Sequence, residues 1–529
     1  MTKIRHSATS VKTKTAPIWR SRYVVRRHIE LWFAYGYKFS PSHVIECDQV
    51  QKMAAMERAG WEEAFRRYMP LVDDPQALWA CLYTPLTPCL WVNPIKATVE
   101  EFQAYCAEEG LRLEPISWYP GAFRLLNGER PGATLPFVAG WYYVQEEIAM
   151  SAVVALDPQP GERILDLCAA PGGKTAQIAV RLRPTGVVIA NERQMERLSS
   201  LRATVDRLGL LNVVVTWYDG RLFPAPEGIW DRVLVDAPCT GEGTVRKPSQ
   251  RWRPVTERFR RACAALQRAL LRRALQLVKP GGIVVYSTCT FAPEENEMVL
   301  DAVLGDYGVV EPFSIAGLRA MPGVTQWAGK SLRHDVGYAL RFWPHLNDTG
   351  GFFVARIRRT DVPMPASALP SVLKPRVPME PATRTEGIAA LCQRFGFAPE
   401  LFAAYRYWMR GQETLWMALP EVESPAGVIP ESVGIPLLSY KRKHIKPKTA
   451  ALQLLGREAR RNVLELPERA AALRFVNGQS QNILADVEPG FVHVRYRRFE
   501  LGCGLYGRGQ LHSQIPRGLQ TLIAQNDHA

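Results

Sequence analysis

Between residues 138 and 360 the apolar positions fall in short runs, each ending in small or polar residues and followed by a helical pattern. The first run, Ile164 to Leu167, reads as a buried strand. It ends in Cys168-Ala169-Ala170-Pro171 and the Gly172–Gly173 pair, and Lys174 and Thr175 open a helical stretch to Leu182. Val187 to Ala190 and Val213 to Trp217 repeat the pattern, and Val233 to Cys239 forms a fourth run with a polar end. A long helix is expected from about Thr256 to Val278, stopped by Pro280-Gly281-Gly282. A fifth strand, Ile283 to Tyr286, ends in Ser287-Thr288-Cys289-Thr290. Tyr338 to Phe342 and Phe352 to Ile357 fit a closing antiparallel pair. Strands alternating with helices predict an α/β core with a doubly wound, mostly parallel sheet. Ligands of such sheets bind at the carboxyl ends of the strands. Gly172, Glu192, Asp219, Asp236, Cys239 and Cys289 all fall there.

The flanks read differently. Met53, Met56, Trp61, Phe65 and Tyr68 recur at helical spacing from about Asp48. Cys89 to Asn93 reads as a strand, Thr98 and Glu101 have capping-box spacing for a helix to Glu109, and Leu111 to Trp118 reads as another strand. Residues 48–137 are therefore expected to form a small α+β domain, serving as scaffold or RNA contact. Residues 361–386 include six prolines from Pro363 to Pro381 and read as an extended linker. In the remainder, 387–529, Ile388 to Trp408 looks helical and 430–525 looks like short strands and turns. That stretch carries Lys441, Lys443, Lys446 and Lys448, then Arg495, Arg497 and Arg498 interleaved with Tyr496 and Phe499. Basic residues mixed with aromatics suit backbone contact and base stacking on RNA; a solvated face is the alternative.

Composition narrows the class. The net charge of +15 over 529 residues favours a polyanionic partner, most often nucleic acid. No apolar run reaches the ~20 residues of a membrane span, and no signal-peptide pattern is present. The ten cysteines form no Cys-x-x-Cys pair, so no zinc ribbon or other metal site is expected. The expectation is a reduced, cytoplasmic enzyme. Residues 1–47 form a basic N-terminal extension that reads as disorder, a nucleic-acid-binding arm or a transit segment.

The turn after the first strand points to a cofactor. A phosphate loop requires a glycine where Cys168 stands, and the dinucleotide fingerprint is missing. Glu192, just past the second strand, suits ribose hydroxyls. Asp219, past the third, suits an adenine. An adenosine without phosphates points to S-adenosylmethionine. Two cysteines at neighbouring strand ends then need a reason. A cytosine ring carbon is a poor nucleophile until a thiolate adds at C6 and makes C5 an enamine carbon, so such chemistry requires an activated cysteine. It also requires a group at N3 and the exocyclic amine, and Asp236 is well placed. Lys174 can lower the thiolate pKa or stabilise charge on the base.

Asp166 to Thr175, Asp236-Ala237-Pro238-Cys239-Thr240-Gly241-Glu242-Gly243 and Tyr286 to Phe291 with Glu294-Glu295-Asn296-Glu297 resemble the RNA 5-methylcytosine methyltransferases, the RsmB/RsmF/Nop2-Sun group. The layout is most similar to the RsmF branch. The resemblance implies a Rossmann-like, S-adenosylmethionine-dependent methyltransferase core at 138–360, with a C-terminal PUA-like RNA-binding domain. It implies 5-methylcytosine formation in RNA, first of all small-subunit ribosomal RNA, by a monomer releasing S-adenosylhomocysteine. Transfer RNA is the alternative substrate, and a non-catalytic assembly factor the alternative function. It further implies Cys289 as nucleophile, Cys239 as the residue of product release, Asp236 as the base-positioning acid and Lys174 as its electrostatic support. Cofactor contacts carry over to Cys168, Ala169, Ala170, Pro171, Gly172, Gly173, Lys174, Glu192, Asp219 and Asp236. The RNA path is expected along Arg246, Lys247, Arg251 and Arg253, with Lys441, Lys443 and Arg497 in the C-terminal region. Two departures stand out: Trp91-Val92-Asn93 lacks the group's arginine, and Glu147-Ile148-Ala149 replaces serines after Gln145-Glu146.

Overall fold

The computed structural model describes residues 60–128, 130–247, 254–365, 379–411, 413–441 and 444–523. The basic extension 1–47, Arg251, Arg253, Lys443 and residues 366–378 of the expected linker lie outside the described residues. The chain divides into two units. In the smaller one residues 60–66 are helical and carry Trp61 and Phe65 of the expected helix. The larger unit, Pro70–Arg251 with Val255–Ala529, holds everything that follows.

Its first layer is an antiparallel sheet of β1 (Cys89–Val92), β2 (Leu113–Pro115), β3 (Ala122–Leu125) and β4 (Tyr142–Val144), in the order β2-β3-β1-β4. The capping box forms as expected: Thr98 Oγ1 accepts from the Glu101 amide at 3.1 Å, and Glu101 Oε2 accepts from the Thr98 amide at 2.8 Å. It starts the helix Val99–Glu108, whose Phe102, Tyr105 and Cys106 are buried. The strand expected over 111–118 shortens to β2, although the Ile116 amide still donates to Ala122 O at 2.9 Å. The sheet also passes the expected boundary at 137, since β4 pairs with β1.

The core sheet is built on β5 (Arg163–Asp166), β6 (Val187–Asn191), β7 (Val213–Thr216), β8 (Trp230–Asp236) and β9 (Val278–Thr288). These run parallel in the order β9-β8-β5-β6-β7. Phe352–Arg359 lies antiparallel on β9 and Leu340–Phe342 antiparallel on it, the closing pair read from the sequence. Val188, Ile189, Val214, Leu234 and Val284 are fully buried, which is why the runs are continuously apolar rather than alternating. The long helix, Glu257–Leu277, does not stop at Pro280-Gly281-Gly282. It ends at Leu277 and passes directly into β9, which contains those residues where the register against β8 shifts.

The C-terminal part departs most from expectation. Ile388 to Trp408 is not one helix. Gly396, in the left-handed region at φ 68°, ends the helix Glu386–Phe395, and Arg406–Arg410 is a strand. Met379–Pro381, inside the expected linker, pairs with that strand. Ser432–Val433 hydrogen-bonds to β7 and so extends the core sheet from the C-terminal side. Three helices, Thr449–Leu455, Arg469–Val476 and Arg517–Ile523, interrupt what read as strands and turns. The last sheet, with Gly490–Tyr496 and Phe499–Gly507 at its centre, shares a core with the N-terminal layer. The Phe499 ring lies 4.7 Å from Trp141 and edge-on to Tyr105 at 5.4 Å. Among the described residues no helix is long and apolar enough to cross a membrane.

Candidate active site

The turn from β5 into the helix Gly173–Arg181 is held by its neighbours. The Ala169 amide donates to Asn191 O at 2.8 Å, and Thr204 Oγ1 donates to Pro171 O at 2.8 Å. Arg197 donates to the Ala170 carbonyl. Asn191 Nδ2 donates to Leu167 O at 3.1 Å and to Tyr218 O at 3.0 Å, tying three strand ends together. Nothing in the sequence reading singled out Asn191; a polar side chain closing the apolar run before Glu192 was the available signal. The two glycines are packed closely by protein atoms. A Cβ on Gly172, at φ 108°, would meet Leu201 and Thr204 at 3.1 Å. One on Gly173 would meet the Tyr143 ring at 2.7 Å and Gln145 at 3.0 Å, so β4 of the N-terminal sheet fixes that position.

Around this turn lie buried carboxylate oxygens that accept no protein hydrogen bond. Glu192 accepts from the Gln194 amide through Oε1, but Oε2 takes no hydrogen bond, the Arg197 guanidinium standing 3.4 Å away. Asp166 accepts from Thr175 Oγ1 at 2.7 Å through Oδ2, while its buried Oδ1 has no partner. Burial raises the Asp166 pKa to about 7, against the Thr175 hydrogen bond. A buried carboxylate oxygen without a donor is costly unless a ligand supplies one. Asp219 is at its expected strand end, but Arg221 grips it through Nε at 2.9 Å and Nη2 at 2.5 Å. Those hydrogen bonds hold its carboxyl below the usual range. The Cys168 thiol is pushed well up by burial and by the carboxylates of Asp166, Glu192 and Asp236, so it is an inert thiol.

The reactive cluster sits at the ends of β8 and β9. Lys174 Nζ donates to Asp236 Oδ2 at 2.7 Å and lies 5.1 Å from the centre of the Phe352 ring. Ser287 Oγ donates to Asp236 Oδ1 at 2.8 Å. Burial works against the Lys174 ammonium, but the Asp236 carboxylate outweighs it and leaves its pKa above the ordinary lysine value. Cys239 and Cys289, both free thiols, bring their sulfurs to 3.3 Å. The Cys289 pKa is lowered, first by the hydrogen bond from Cys239 and then by Lys247 and Lys174, against burial and Asp236. That of Cys239 is raised well above the ordinary value by the same bond, by burial, by the charge of Cys289 and then by that of Glu295. The two loops are also joined directly: the Gly243 amide donates to Cys289 O at 2.9 Å.

Of the residues expected on the RNA path, Arg246 does not belong there. Its side chain is 0% exposed and donates to Thr84 O at 2.8 Å, Thr349 O at 2.7 Å and Asp348 Oδ1 at 2.6 Å. It is a clamp between loops. Lys247 sits close enough for its charge to act on Cys289. Lys441 ends the strand Ile435–Lys441, and Arg497 is exposed at a hairpin tip, at φ 51°. The aromatic residues interleaved with the arginines do not offer stacking faces. Tyr496 is 7% and Phe499 3% exposed, and Arg495 and Arg498 pair with Glu465 and Glu108.

A sequence profile described as 16S rRNA methyltransferase RsmB/F matches residues 153–358, and one for the N-terminal domain of 16S rRNA methyltransferase RsmF matches 62–147. The chain is 33% identical over 469 residues to the ribosomal RNA small subunit methyltransferase F of Enterobacter sp. (strain 638), covering 86% of this chain and 94% of that one. The chain belongs to the RsmB/F family. It is also 37% identical over 295 residues to the tRNA (cytosine(49)-C(5))-methyltransferase of Pyrococcus abyssi, covering 55% of this chain and 94% of that one. The solved structure of PH0851 superposes with a TM-score of 0.51 at 28% identity, over 64% of this chain and 75% of that one.

An RsmB/F protein is an S-adenosylmethionine-dependent RNA methyltransferase. The residues here fit that cofactor: the open Oε2 of buried Glu192 suits a ribose hydroxyl, and the helix N-terminus at Gly172, which no side chain caps, offers free amides. The two departures from the group's pattern belong to the scaffold. Trp91 Nε1 donates to Gln145 Oε1 at 3.0 Å. Glu147 is buried and accepts from Arg124 Nε at 2.6 Å and Trp118 Nε1 at 3.0 Å.

Proposed function

We propose that this chain methylates C5 of a cytosine in RNA through a covalent bond between Cys289 and C6 of the base. The observation that carries the proposal is the 3.3 Å approach of Cys239 and Cys289 beside the Lys174–Asp236 pair. Bound S-adenosylmethionine supplies an electrophilic methyl group. The Cys289 thiolate, favoured by the Cys239 hydrogen bond and two lysines, adds to C6 and makes C5 nucleophilic. Asp236, oriented from both sides by Lys174 and Ser287, faces the exocyclic amine and N3, where charge develops. Methyl transfer to C5 would leave S-adenosylhomocysteine; the C5 proton then passes to solvent water as the C6–S bond breaks, its electron pair returning to Cys289 as thiolate. Cys239, the protonated member of the pair, assists release. The target base must leave its stack to reach this edge.

The substrate we propose is small-subunit ribosomal RNA. Support comes from the match to the RsmF N-terminal domain at 62–147 and from small-subunit relatives aligned over 86% of the chain. Exposed Arg497 and the PUA-like C-terminal region would then grip RNA away from the target, and Lys247 would act beside it. Transfer RNA is the second reading, favoured by the Pyrococcus abyssi relative over 55% of this chain. Bisulfite sequencing of total RNA with and without the gene tests both. A protected cytosine lost from small-subunit RNA is expected. Loss confined to transfer RNA moves the substrate, and no loss in any RNA overturns the activity.

A further inference from the structure

Behind Cys239 lies a buried carboxylate that the reaction scheme does not use. Glu295 is 0% exposed and forms no ion pair among the described residues. Its Oε2 accepts from the Thr240 amide at 3.0 Å and its Oε1 from Thr240 Oγ1 at 2.6 Å. Gln267 Nε2 donates to Glu295 Oε2 at 2.9 Å and to Pro238 O at 2.9 Å. The carboxylate therefore grips the residue after Cys239 directly and the residue before it through Gln267. Thr240 Oγ1 also meets Thr290 Oγ1 at 2.8 Å, so the same latch reaches the residue after Cys289.

From this geometry we infer that Glu295 is a positioning residue that decides which of the two cysteines attacks. It latches the Pro238-Cys239-Thr240 loop and, by its buried negative charge, keeps the Cys239 sulfur a donor to Cys289. The inference rests on the reading of Cys289 as nucleophile. Every hydrogen bond to Glu295 is donated to it, as an ionised carboxylate requires. Burial, with Glu242 nearby, raises its pKa against the Thr240 and Gln267 hydrogen bonds. The other titratable groups that feel it are Cys239, Cys263 and Tyr286, whose hydroxyl donates to Glu295 O at 2.5 Å. Asp236, Lys174 and Lys247 act on Cys289 from the opposite side.

The test is the pH dependence of iodoacetamide alkylation at each cysteine of the full chain, read by peptide mass spectrometry without RNA. In the native protein Cys289 should react at lower pH than Cys239. In Glu295→Gln the Cys289-to-Cys239 rate ratio at neutral pH should fall by about tenfold, one unit of relative acidity. Thr240→Val keeps the charge and removes the hydroxyl's hydrogen bonds to Glu295 and Thr290, and should lower the ratio by about threefold. A folded Glu295→Gln protein with the native ratio overturns the inference. If that variant does not fold, an unchanged ratio in Thr240→Val overturns it. Equal reactivity of both cysteines in the native protein overturns the nucleophile reading itself, and the inference with it.

Discussion

The strand-end cluster and the hairpin around residues 495–499 both hold residues expected to meet RNA, and the fold uses them in opposite ways. At the cluster, Lys174, Asp236, Cys239, Ser287 and Cys289 come from three separate segments and pair mainly with one another. In the hairpin, a contiguous run of arginines and aromatics is divided among outside partners. Phe499 goes into the core beside Trp141, and Arg495 and Arg498 go to glutamates of other segments. Distant residues converging on one ligand edge make a site. A contiguous motif whose members are each consumed by a neighbour makes a joint between layers.

The sharpest way to break this contrast is to remove the central sulfur. Cys289→Ala should lower methyl incorporation into RNA by roughly a thousandfold or more, with cofactor affinity by calorimetry unchanged. Lys174→Met takes away one of the two groups that orient Asp236 and should lower kcat by about a hundredfold in single-turnover methylation. On the hairpin, Phe499→Ala should cost about 3–4 kcal/mol in denaturant unfolding and leave RNA affinity of the folded fraction unaltered. Weakened RNA binding at full stability would restore the stacking role. Arg246→Ala should likewise destabilise, by about 2–4 kcal/mol, without changing the salt dependence of RNA binding.

Two smaller effects sharpen the picture. Cys289 owes its lowered pKa first to the Cys239 hydrogen bond, so in Cys239→Ser the weaker match of donor and sulfur should raise it. The thiolate fraction at neutral pH then falls, and the alkylation profile of Cys289 moves to higher pH. Arg497→Ala, at an exposed tip, should leave stability within about 0.5 kcal/mol and reduce the salt slope of RNA binding by about one. An unchanged slope would take the hairpin out of the interface altogether.

What the sequence made legible follows the same division. The core strands could be placed within a few residues because strands buried on both faces leave uninterrupted apolar runs, as at Val187 to Ala190 and Val213 to Trp217. The capping box at Thr98 is local chemistry and was legible for that reason. The placement of Asp236, Cys239 and Cys289 together was legible as a shared edge. Tertiary decisions were not. Nothing local distinguishes Arg246, clamped by Thr84, Asp348 and Thr349 from far along the chain, from a solvent-facing arginine. The Ser432–Val433 strand is too short for a periodicity to appear, and its place is set by the free edge of β7. Glu295 was visible as part of the Glu294-Glu295-Asn296-Glu297 motif with no role attached, and its latch on Thr240 depends on a fold that joins positions 55 residues apart.

The central claim is a covalent bond from Cys289 to the target base, with Cys239 needed to release it. Its most direct test is mass spectrometry of Cys239→Ala after incubation with S-adenosylmethionine and small-subunit ribosomal RNA, following nuclease and protease digestion. The account predicts a denaturant-resistant complex and a Cys289 peptide carrying a methylated cytidylate. A complex formed only by Cys289→Ala, with the cytidylate on Cys239, would contradict it.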